Sequence, residues 1–156
     1  MVRANTQLEA AGAEYLVLGH LLRFKIQSFI TSQNYEDYDI VATNPEKKKS
    51  IKIQVKSRFK ESDTSFPIKK YGAEIVVFVK LNCGRRKEGA LTYEYRKQPE
   101  FYIFPMELCK KYNHGGQWNK VHIKEFPNYE QYKDNWGLIK ELLELWKTYG
   151  HYKLEK

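Results

Sequence analysis

Cysteine is nearly missing from this chain. Cys83 and Cys109 are its only two, far apart and outside any CxxC pair, so neither a disulfide framework nor a zinc ribbon is implied and a reducing compartment is expected. Long apolar runs are missing too. None approaches the roughly 20 residues that span a bilayer, and the leading MVRANTQLEAAG lacks the apolar core of a secretion signal. The expectation is a cytoplasmic protein without a membrane partner. There is no internal repeat and no low-complexity linker. His20, His122 and His151 show no ligand spacing, Asn113-His114 reads better as part of a Gly and Asn turn than as a His-metal finger, and neither cysteine has a local His partner for a thiol nucleophile. Acid is in deficit: Asp plus Glu is 19 against 27 Lys plus Arg, a net charge of +8. That surplus favours a polyanionic partner, and nucleic acid is the commonest.

What is present is enough for one folded domain over residues 1–156, with 42% hydrophobic and 15% aromatic residues. The stretch from Asp37 to Arg58, DYDIVATNPEKKKSIKIQVKSR, organises the rest. Tyr38 to Thr43 reads as a strand. Asn44 to Ser50 breaks it, because Pro45 cannot continue a ladder and the lysine run favours water. Ile51 to Lys56 reads as a second strand with strict alternation: Ile51, Ile53 and Val55 on one face, Lys52, Gln54 and Lys56 on the other. In an antiparallel hairpin Asp39 lies beside the end of the second strand, so Asp39, Gln54 and Lys56 can converge. Oxygen ligands beside a cation are what metal-assisted attack on a phosphate requires. The ordinary alternative is a hairpin with one wet face.

The helix ahead of the hairpin shifts that balance. Thr6-Gln7-Leu8-Glu9 is a capping box, and the spacing predicts a helix from about Gln7 to Arg23 or Phe24. Val17, Ala10, Leu21, Leu18, Ala11, Leu22, Tyr15 and Leu8 form one broad apolar arc, with Glu14 inside it and Glu9 and His20 opposite. A carboxylate in an apolar stripe is costly unless something pairs with it, whether a lysine or arginine, water at the stripe edge, or the Asp39 and Gln54 cluster. Gly12 and Gly19, a heptad apart, are read as points where another backbone comes close.

Further along, Lys25 to Ile30 is a short strand and Thr31 to Glu36 a polar loop. Ser57 to Ser65 loses periodicity and reads as a basic loop, either a phosphate contact or a solvated connection. Ala73 to Leu81 is the most continuous apolar strand and is expected to be central. Asn82 to Gly89 reads as a charged turn, followed by strands at Leu91 to Arg96 and Phe101 to Phe104. A short helix starts at Pro105 and ends at Asn113 to Gly116, and a strand follows at Val121 to Ile123. Helical segments close the chain at Tyr129 to Asp134 and Gly137 to Thr148, the last with a buried stripe of Leu138, Leu142, Leu145 and Trp146. The class expected is α/β, a mixed sheet flanked by helices.

Helix-borne Glu14, then Asp39 on a strand, then Gln54-Val55-Lys56 on the next resembles the PD-(D/E)XK nuclease superfamily, closest to compact homing-endonuclease-like or resolvase-like members. The resemblance covers roughly the first half of the chain. It implies a restriction-endonuclease-like core. It implies Asp39 as metal ligand, Glu14 as the helix carboxylate that completes the site, and Lys56 as the residue that positions or activates the attacking water. Gln54 departs from the usual Asp or Glu; as a QxK variant it would ligate through its carbonyl without adding charge. The resemblance implies a Mg²⁺-dependent endonuclease, with Mn²⁺ able to substitute, acting on duplex or branched DNA as a homo-oligomer. Arg58, Lys60, Lys69, Lys70, Arg85, Arg86 and Lys87 are candidate phosphate contacts, and Trp118, Trp136 and Trp146 candidate core or interface residues. Two other readings stand beside it: a non-catalytic nucleic-acid-binding module on a degenerate nuclease fold, and an α/β interaction protein whose charge is incidental.

Overall fold

The structure is a computed structural model. It describes residues 6–32, 37–87, 90–92 and 97–145, and of residues 85–87 and 90–92 it describes the backbone alone. Helix α1 (Thr6–Arg23) leads into β1 (Gln27–Ile30), β2 (Ile40–Asn44), β3 (Lys49–Lys60), β4 (Ser65–Pro67), β5 (Ile75–Lys87), β6 (Ala90–Thr92) and β7 (Glu100–Pro105). Then come α2 (Met106–Lys111), β8 (Lys120–His122), two 3-10 turns (Ile123–Glu125 and Tyr129–Tyr132) and α3 (Gly137–Leu142). The class is mixed α/β, as the element pattern implies.

The main sheet has six strands. β1, β2, β3, β5 and β6 follow one another, and β7 joins on β5. β1-β2-β3 is an antiparallel meander, β3 and β5 are parallel, and β7 is antiparallel to β5. β4 and β8 make a small separate ladder. β5 is central and reads as a continuous apolar run because both its faces are covered. Ile75, Val77 and Val79 join Ala13, Val17, Leu21, Ile40 and Ile53 in a core under α1. Val76 and Phe78 join Phe66, Ile68, Phe104 and Val121 in a second core on the opposite face.

Several expectations change. Ala13, Val17 and Leu21 are the buried stripe of α1, whereas Leu8, Tyr15 and Leu22 at the far side of the predicted arc face solvent. The arc was wide enough for two surfaces, and the sheet covers one. His20 is not on a solvent face. Its ring stacks on Trp136 at 5.2 Å and meets Phe101 edge-on at 4.5 Å, because the chain returns over the end of α1, which a helical wheel cannot register. Among the described residues Gly12 and Gly19 meet no other backbone: a Cβ on either would have nothing within 4 Å.

The basic loop expected from Ser57 is strand as far as Lys60, held by parallel pairing to β5 with a register shift between Arg58 and Lys60. The charged turn expected from Asn82 is also strand, through Lys87, where β5 leaves β7 and pairs with β6. Asn82 sits in the left-handed region (φ 55) at that change of partner. Ile139, Leu143 and Leu145 are the buried residues at the C-terminal helix, not Leu138 and Leu142. Trp136 is core, Trp118 is exposed, and Trp146 and His151 lie outside the described residues.

Candidate active site

The site forms where β2 leaves β3. Ile40 opposite Ile53 is the last ladder pair, and from there β3 runs on beside β5 with its other edge open. Asp39 stands at that point. Its N–H donates to the Ile53 carbonyl (2.9 Å), and its own carbonyl accepts from the Thr31 N–H (2.9 Å) and from the Thr31 hydroxyl (3.2 Å). Its carboxylate Oδ2 accepts from the Val55 N–H at 2.7 Å. The side chain therefore takes the place of the backbone carbonyl that would have continued the ladder, and the residue is tied at its N–H, its carbonyl and its carboxylate.

Glu14 approaches from α1, and Gln54 and Lys56 stand on the other face of β3, opposite Val76 and Phe78 in register. A cleft of about 350 Å³ opens between α1 and the β1–β2 end, lined by Gln7, Ala10, Glu14, Thr31, Tyr38 and Asp39 among others. A second, of about 370 Å³, adjoins it across Ala10 and is lined by Glu9, Lys56, Arg58, Lys60 and Asp63 among others.

The electrostatics tie Glu14 to Asp39 and Asp39 to Lys56, and leave Gln54 out. Burial pushes the Glu14 carboxyl up to about 7, with the nearby Asp39 charge adding to the rise. Burial also raises Asp39, against the Val55 hydrogen bond and the Lys56 ammonium. Lys56 is lowered by burial first; Asp39 pulls it back up while Arg58 and Lys69 lower it further. Glu9 is raised by burial and opposed by Arg58. Gln54 is 8% exposed, and its Oε1 is buried with no hydrogen-bond partner. Among the described residues no three His, Cys, Asp or Glu side chains gather closely enough to hold a metal. The acidic part of the site is the Glu14 and Asp39 pair.

The chain shares its fold with a bacterial homing endonuclease. That solved structure, of I-Ssp6803I, matches 94% of this chain and 99% of its own length with a TM-score of 0.60, at 18% sequence identity. At that identity the likeness is one of fold alone. No family model and no curated protein matches the sequence.

Of the expected phosphate contacts, Arg58 and Lys60 line the second cleft, and Lys69 is close enough to act on Lys56. Lys70 is paired with Asp37 at 3.2 Å. The side chains of Arg85, Arg86 and Lys87 lie outside the described residues. Sequence reading missed Thr31 and Gly72. Thr31 pins Asp39 from β1, and a Cβ on Gly72 would meet the Asp37 Cβ at 2.7 Å, so this glycine admits the turn that carries Asp37 to Asp39. The visible trace of that turn was the pair of aspartates flanking Tyr38.

Proposed function

We propose that this chain is a metal-dependent DNA endonuclease, with Glu14, Asp39, Gln54 and Lys56 as its catalytic set. The observation that carries the reading is Asp39 held rigidly at the open edge of β3, in electrostatic contact with Glu14 on one side and Lys56 on the other. The nuclease-like fold supports it. The donor set suits a hard divalent cation such as Mg²⁺ or Mn²⁺: two carboxyls that resist ionising side by side, and an amide oxygen, Gln54 Oε1, buried without a partner. Glu14, Asp39 and Gln54 would hold the ion. Bound there, it would polarise the scissile phosphate and lower the pKa of a water.

The protein's own groups do the rest. The Val55 N–H keeps Asp39 aimed at the opening. Lys56, partly desolvated, orients the attacking water and stabilises charge growing on the phosphate oxygens. Arg58, Lys60 and Lys69 take neighbouring phosphates and set the register of the duplex without reading its bases.

The test is cleavage of supercoiled, linear and branched DNA in Mg²⁺ and Mn²⁺, beside calorimetry of metal binding. Asp39→Asn is expected to abolish metal binding. Lys56→Ala is expected to lower the cleavage rate by about 10²-fold or more while leaving metal binding in place. Cleavage that survives both substitutions, or no Asp39-dependent binding of either metal, would overturn the assignment.

A further inference from the structure

The loop 113–119, NHGGQWN, lies between α2 and β8 and lifts Trp118 into water. The indole is 66% exposed. A tryptophan left in water forgoes a large apolar burial, so the way the loop holds it matters. The loop is tied rather than loose. Gly115 and Gly116 both sit at φ 67 and Asn119 at φ 44, the left-handed region that glycine and asparagine tolerate. The Gly115 N–H donates to Asn113 Oδ1 (2.9 Å), the Asn119 N–H to the Gly115 carbonyl (3.2 Å) and the His114 N–H to the Lys120 carbonyl (3.1 Å). The loop is also fastened to the segment 68–71. Asn113 Nδ2 donates to the Ile68 carbonyl (3.0 Å) and to the Tyr71 hydroxyl (2.8 Å), and the Ile68 N–H donates to the Asn119 carbonyl (2.9 Å). That segment adjoins the candidate site: Lys69 acts on Lys56, and Lys70 pairs with Asp37.

We infer that Trp118 is a stacking platform for an unpaired base of DNA whose backbone passes the candidate site. The inference rests on DNA as the partner proposed above. Charge selects the occupant. Residues 67–72 and 110–120, the two stretches that meet here, carry five lysines and no acidic residue, so the ring stands in a field that attracts phosphate. Lys110 lies over the Tyr71 ring at 5.4 Å and Lys111 over the Tyr112 ring at 5.7 Å, so cations and rings alternate across this surface. An exposed ring among lysines matches what a single strand presents, a π-face on each base and a charge on each phosphate. A fully paired duplex offers only its phosphates, because its π-faces are stacked on one another. The tied loop holds the indole in place before DNA arrives, so little ordering is lost on binding. The substrate class is DNA with an unpaired base near the point of cleavage, as at a mismatch, a frayed end or a branch.

Binding is read by the anisotropy of labelled DNA in EDTA, so that no cut intervenes. The probes are a fully paired duplex and the same duplex with a central run of mismatches. Wild type is expected to bind the mismatched duplex more tightly. Trp118→Ala is expected to lose about 10-fold on the mismatched duplex and less than about twofold on the paired one. Its salt dependence should not change, since indole neutralises no phosphate, and Trp118→Phe should keep most of the affinity. The melting temperature of either variant should match wild type, because the ring is exposed. No preference for mismatched DNA in wild type, equal losses on both DNAs, or no loss on either overturns the inference. If that happens while cleavage dependent on Asp39 and Lys56 persists, the stacking role falls alone. If neither DNA is bound, the DNA reading falls with it.

Discussion

Glu14 and Asp39 meet at one corner of the molecule, and that single juxtaposition makes a prediction of defined sign. Glu14 is pushed up to about 7, above the value of about 4.3 for a free glutamate. Its protonated form is favoured by folding, so its contribution to stability is present below the unfolded value and is lost as pH rises toward the folded one. Asp39, raised as well, acts in the same direction, while His20, lowered by burial, acts in the opposite one. The clean observable is therefore a difference. In metal-free protein, the melting temperature of Glu14→Gln relative to wild type should climb between pH 5 and pH 8, and Glu14→Gln should be the more stable of the two at pH 8. A difference that stays flat over this range would mean that Glu14 is solvated like an ordinary surface carboxylate. The four catalytic candidates were legible as residue types in chain order. Thr31 and Gly72 were not, because their roles are contacts across the fold, and a threonine or a glycine in a loop has many commoner uses.

Among the elements, the existence of every strand but the three-residue β4 was readable, and the strand ends were not. The alternation of Ile51, Ile53 and Val55 marked β3, and the apolar run from Ala73 marked β5. Both strands nevertheless run on through polar sequence, to Lys60 and Lys87. What extends them is backbone pairing, which the side-chain pattern does not encode once a face opens to a cleft or to water. The same kind of distant contact ties the sheet to the C-terminal helix: Asn44, 1% exposed, donates from Nδ2 to the Leu143 carbonyl at 2.8 Å. Asn44→Ala removes that donor and leaves a buried carbonyl without it, so a loss of about 1–3 kcal/mol is expected. Urea unfolding measures it, and a loss indistinguishable from zero would show that Leu143 finds another donor.

For the molecule as a whole, charge and hydrophobic pattern divide the work. The net +8 sets a long-range attraction for polyanions, and on the proposed function duplex binding should weaken steeply with salt. Arg58→Ala, Lys60→Ala and Lys69→Ala should each reduce the slope of log affinity against log salt by about one. Lys70→Ala, whose ammonium is already paired with Asp37, should change it less. Equal effects from all four lysine and arginine substitutions would remove any special place for the cleft. The sequence by itself determined the class, the central strand and the first helix, and it supplied the residue types proposed for the site. These follow from local periodicity, capping and residue chemistry, all of which act over a few neighbours. Only the tertiary structure decided which half of the apolar arc on α1 is buried, that His20 is stacked on aromatic rings, how far β3 and β5 extend, and that Asp39 completes a ladder with its side chain. Each of these depends on which distant surface arrives to cover a group. A helix with two apolar faces, or a strand with one polar face, is locally satisfied either way until the rest of the chain has packed.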